Sequence, residues 1–91
     1  MSLYAVTAST DLTGIGKGKR VVSWHFSNTG AAAVINLRDG SVSATRYIQI
    51  QLPATTGYAA QAYVQQSAPL FPNGVYVEVV SGTIIGSVDL V

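Results

Sequence analysis

The residues able to do chemistry in this chain are few and far apart. Its one histidine, His25, stands between Ser23 and Ser27 in the run Val21-Val22-Ser23-Trp24-His25-Phe26-Ser27-Asn28, and Asp89 lies near the far end. Nucleophilic catalysis needs a hydroxyl, a base within hydrogen-bonding reach and a third group to orient that base. Serine, His25 and Asp89 are the materials of such a triad, but no Gly-x-Ser-x-Gly turn is present to raise a serine above a sheet. A lone histidine on the outward face of a strand more often meets solvent or a partner.

Paired carboxylates would suit glycoside hydrolysis, and the acids number four: Asp11, Asp39, Glu78 and Asp89. Asp39 belongs to an Asp-Gly turn and Asp11 to a loop. Glu78 and Asp89 fall on adjacent predicted strands and could face one another, yet Glu78 is equally placed for a surface ion pair with Arg38 or Arg46. One histidine, four scattered acids and no cysteine give no metal-ligand spacing. The chain reads as a non-enzyme with no catalytic residue, no metal and no cofactor.

Gly14-Ile15-Gly16-Lys17-Gly18-Lys19 invites comparison with a phosphate-binding loop. It lacks the Gly-x-x-x-x-Gly-Lys-[Ser/Thr] spacing, and a strand follows where such a loop needs a helix. The stretch reads as a flexible loop with exposed lysines, and its functional version is a contact loop in which Lys17, Lys19 and Arg20 dock on an acidic surface of a neighbouring subunit. Exposed tyrosines stack on sugars and also enrich protein interfaces. Of the five in the chain, Tyr47, Tyr63 and Tyr76 fall on predicted polar strand faces. Lys17, Lys19, Arg20, His25, Tyr47, Tyr63 and Tyr76 are therefore the candidate interface residues.

The elements that must position these residues are strands. In the run from Val21, Val22, Trp24 and Phe26 alternate strictly with Ser23, His25 and Ser27, the pattern of a strand with one buried face. It carries the one tryptophan and one of two phenylalanines, which places it in the middle of the core. A first strand is predicted over Leu3–Ala8, then a flexible, glycine-rich, basic loop over residues 9–20. Ala33, Ile35 and Leu37 oppose Val34, Asn36 and Arg38 in the next strand, which Asp39-Gly40 turns into a hairpin. Thr45–Leu52 follows, with Ile48, Ile50 and Leu52 inward, and Pro53 ends it. Tyr58–Gln66 sets Ala60, Ala62 and Val64 against Gln61, Tyr63 and Gln65. Beyond the irregular link Pro69–Pro72 come strands Val75–Val80 and Thr83–Val91. Turn signals recur about every ten residues, the spacing of an antiparallel β-sandwich or small barrel with about seven to eight strands and almost no helix.

Ninety-one residues make a single domain, 1–91. A chain of this mass buries about 63% of its unfolded surface, enough for one modest core. Charged residues are 10% of the chain against about 25% in ordinary soluble domains. So little charge implies a surface covered by a partner, most simply further copies of the chain, or else one coated by Ser, Thr, Gln and Asn. A net charge of +1 draws the chain neither to nucleic acid nor to an anionic membrane. Met1 to Val6 lacks the basic and long apolar regions of a signal peptide, and the longest apolar run, Ala31–Ile35, is far short of a membrane span. A soluble protein without a secretion signal is expected.

Four segments, taken in order, resemble a known family. They are Val22-Ser23-Trp24-His25-Phe26-Ser27-Asn28-Thr29, Val34-Ile35-Asn36-Leu37-Arg38-Asp39-Gly40, Pro72-Asn73-Gly74-Val75-Tyr76-Val77-Glu78-Val79 and Ser81-Gly82-Thr83-Ile84-Ile85-Gly86-Ser87-Val88. The pattern resembles small β-sandwich virion proteins of tailed bacteriophages, of the head decoration or cement type, from Val21 to the C-terminus. The first twenty residues depart from it. The resemblance implies a jelly-roll-like sandwich bound to the outside of an assembled capsid, often as a trimer, with the major capsid protein or other virion proteins as partners. Its implied location is the capsid exterior, after synthesis in the host cytoplasm, and the family has no catalytic residues to carry over. A neck, tail or fibre component of the virion is a second placement. A carbohydrate-binding sandwich that uses surface tyrosines is the alternative from another class.

Overall fold

Period-two alternation becomes strand along most of the chain. The computed structural model describes residues 2–55 and 57–91. Its strands are β1 (Ser2–Val6), β2 (Thr10–Asp11), β3 (Lys19–Asn28), β4 (Ala33–Asp39), β5 (Arg46–Leu52), β6 (Tyr58–Ala62), β7 (Leu70–Phe71), β8 (Val75–Ser81) and β9 (Ile84–Leu90). Thr13–Ile15 and Gln65–Ser67 are single 3-10 turns. The strands form two antiparallel sheets, ordered β1-β9-β3-β6 and β2-β8-β4-β5, with β7 continuing beside the start of β3. The first strand pairs with the last and the second with β8, while β3 pairs with β6 and β4 with β5. A long hairpin wrapped over itself in this way is a jelly roll. The antiparallel sandwich expected from alternation and turn spacing is the fold observed, with the jelly-roll order that the family resemblance implied. The two-residue strands β2 and β7 raise the count to nine among the described residues.

The core lies between the sheets. Val6, Val21, Phe26, Ile35, Leu37, Phe71, Val75, Val77 and Val88 are fully enclosed. Trp24 is half-buried, and its ring stacks on Phe26 with centroids 6.1 Å apart. Gly86 sits opposite Phe26 on β9, where an added Cβ would lie 2.3 Å from Phe26 Cδ1. The phenyl ring crosses the strand at that point, so only a residue without a side chain fits.

A register shift between Val21 and Ser23 lets both Val21 and Val22 be buried. Three expectations change in the folded chain. The strand after Gly57 stops at Ala62, and its faces are reversed: Ala60 and Ala62 are exposed, while Ala59 packs on the core. The stretch 9–20 is built into the sandwich, with Leu12 buried and its N–H donated to the Val75 carbonyl at 2.9 Å. Finally, β8 and β9 follow one another but belong to opposite sheets. Glu78 and Asp89 are thus not on neighbouring paired strands, and the paired-carboxylate arrangement does not form.

Candidate docking face

The outward residues of β1, β9, β3 and β6 line up in rows across the first sheet. One row is Leu3, Asp89, Ser23 and Ala62; the next is Ala5, Ser87, His25 and Ala60; a third is Ile85, Ser27 and Tyr58. Leu3, Tyr58 and Ile85 are 68%, 69% and 59% exposed. Asp89 is the one charged residue in these rows. Leu3, Trp24, Ala60, Ala62, His25 and Ser87 contribute to a shallow depression of about 410 Å³. It forms because two alanines stand where longer side chains would rise from the sheet.

At its floor Ser87 Oγ and His25 Nδ1 are 2.8 Å apart. Either atom donates according to the imidazole tautomer. The ring also leans toward Tyr58, with centroids 6.3 Å apart. Asp89 lies two residues beyond Ser87, its Oδ1 enclosed and without a hydrogen-bond partner among the described residues. The materials of the triad therefore share one face, but the structure records no hydrogen bond that orients His25 through Asp89. Backbone N–H groups lie in the plane of the sheet, so this face aims no donor pair at a developing oxyanion. What the Ser87–His25 contact does is fix the imidazole plane within the depression. Among the described residues no group of three His, Asp or Glu side chains is placed to hold a metal ion.

The other candidates are dispersed. Lys17 is exposed in the turn before β3, while Lys19 and Arg20 open that strand opposite Phe71 and Leu70. Arg20 Nη1 donates to the Ala68 carbonyl at 2.6 Å, and its backbone exchanges two hydrogen bonds with Val91. The guanidinium ties the second half of the chain to β3. Tyr47 meets Phe71 edge-on, with centroids 5.0 Å apart. Tyr63 turns inward, accepting at 3.4 Å from Trp24 Nε1. Tyr76 sits half-buried on β8, level with Arg38 of β4. The three tyrosines do not share one platform.

Across the outside of the second sheet runs a ladder of polar side chains. Arg38 Nε and Asn36 Nδ2 both donate to Glu78 Oε1 at 2.9 Å. Gln49 Nε2 donates to Asn36 Oδ1 at 3.1 Å, and Gln51 Nε2 to Gln49 Oε1 at 3.0 Å. Hydrogen bonds from Asn36 and Arg38 hold the Glu78 carboxyl below its ordinary pKa. The ion pair open between Arg38 and Arg46 in the sequence is made by Arg38.

Leu3, Ala60, Ala62, Ile85 and Ser87 were not singled out by sequence reasoning, and Tyr58 only as one of the five tyrosines. The available signal was alternation in Ile84–Leu90, which sends Ile85, Ser87 and Asp89 to the side opposite Ile84, Val88 and Leu90. Compared with family models, with curated proteins and with solved structures, the chain matches none.

Proposed function

We propose that this chain is a non-enzymatic structural protein of a tailed-phage virion, bound to the outer surface of the head as a decoration or cement protein. The observation that carries this reading is the outer face of β1-β9-β3-β6, which exposes Leu3, Tyr58 and Ile85, holds a depression lined in part by Ala60 and Ala62, and carries one charged residue. Family resemblance supplies the partner, the major capsid protein. Burial of apolar surface contributes about 25 cal/mol per Å², and a shell with many equivalent sites turns modest contacts into firm attachment through multivalency. The basic turn at Lys17 leads into the Leu3 end of this face, and on this reading it meets acidic groups on the shell.

Co-sedimentation of the purified protein with the heads of the phage that carries it tests this reading. The wild type is expected to pellet with heads, and Ile85→Asp is expected to remain in the supernatant. Lys17→Ala with Lys19→Ala weakens binding in a salt-dependent way. Wild-type protein that stays in the supernatant, or an Ile85→Asp variant that pellets as well as wild type, defeats the proposal.

A further inference from the structure

We propose that β6 pairs antiparallel with β6 of a second copy of this chain, about a two-fold axis through Ala60, to join two sheets into one. β6 ends its sheet and has no fully buried residue. Natural sheets guard such an edge with lysine, proline or a bulge. Tyr58-Ala59-Ala60-Gln61-Ala62 has none of these, and no charged residue occurs from Tyr47 to Val77.

The backbone polarity of the edge follows from its flanks. Gly57 accepts from Asn28 N and Tyr63 N donates to Val22 O, so the odd-numbered residues turn their polar groups toward β3. Alternation directs the N–H and C=O of Tyr58, Ala60 and Ala62 out to the open edge. A two-fold axis at Ala60 then pairs Ala60 with its own counterpart and sets Tyr58 against the partner's Ala62. Large meets small on the same outer face, so no two rings compete for the same space across the axis. Uncharged side chains add no like-charge repulsion, which any charged residue near a two-fold axis would. The contact is self-complementary, and for that reason a second copy is its occupant.

The test is solution mass combined with two substitutions. Wild type is expected at twice the chain mass. Ala60→Pro removes an N–H that the isolated fold leaves unused, and proline is tolerated on a sheet edge. It is expected to weaken dimerisation by at least about tenfold while leaving thermal unfolding near wild type. The chain has no cysteine, so Ala60→Cys places one thiol at the axis. Paired residues there have Cα atoms about 5.5 Å apart, within disulfide range. Ala60→Cys is expected to form a disulfide dimer on mild oxidation, far faster than Thr29→Cys in an exposed turn. Monomeric or trimeric wild type at its highest soluble concentration overturns the proposal. So does a dimer in which Ala60→Cys cross-links no faster than Thr29→Cys. Phage heads enter none of these measurements, so the pairing and the capsid reading stand or fall separately.

Discussion

The two sheets of this sandwich share one core and present opposite kinds of surface. Outside β2-β8-β4-β5, four side chains satisfy one another in a line from Arg38 and Glu78 through Asn36 to Gln49, and Gln51 extends it. Outside β1-β9-β3-β6 the outward positions hold alanine, leucine, isoleucine, tyrosine and serine, with one histidine fixed by one serine and Asp89 as the one charged residue. A face whose polar groups bond to each other is finished within the chain. A face of exposed apolar and small side chains gains free energy when a surface covers it. On the proposed reading, one exterior serves stability and the other association.

The sharpest way to break the contrast is to cut the finished face. Asn36 is buried and joins Glu78 to Gln49. Asn36→Ala leaves both partners short of a hydrogen bond and is expected to cost about 1–2 kcal/mol, read as a lowered urea midpoint with docking unchanged. Acid attacks the same face. The Glu78 and Asp11 carboxyls are held below their ordinary values of 4.5 and 3.8, Glu78 by Asn36 and Arg38 and Asp11 by Thr13. Folding therefore favours their ionised forms. The stability they contribute is present above those ordinary values and is lost as pH falls through the lower folded ones. Urea midpoints measured from about pH 7 to about pH 3 are expected to decline at the acid end, and Glu78→Gln to flatten that decline. The smallest effect on stability belongs to the open face: Ile85→Asp is expected to stay within about 0.5 kcal/mol of wild type, because its side chain contacts mainly solvent. A large loss there would show that the open face also holds the fold together.

Much of the fold was legible because the long strands alternate cleanly. Ala33, Ile35 and Leu37 face inward, and Asp39-Gly40 begins the connection that pairs β4 with β5. What alternation cannot say is which sheet a strand joins. Ser81-Gly82 looks like another hairpin turn, yet it sends β8 and β9 into different sheets, a choice made by contacts far away in sequence. On β6 the polarity signal was ambiguous, since alanine is at ease on either face. Tyr63 decided the matter by turning toward Trp24 Nε1. Of the candidate site, His25 was visible as an outward residue, but its partner Ser87 is 62 positions away and only the wrapping of the chain brings them together.

That wrapping has a kinetic consequence. β9 lies between β1 and β3, pairing Ser2 with Leu90 and Asn28 with Ile84. The first sheet therefore lacks an inner strand until residues 84–90 have left the ribosome. Until then β1 and β3 expose unpaired edges, and Phe26 has no Gly86 beside it. Sheets closed by such distant segments fold on a timescale of about milliseconds to seconds, slower than helical domains of equal size. Folding of the first sheet thus waits for the synthesis of residues 84–90, and during that interval the open edges of many nascent copies are exposed to one another.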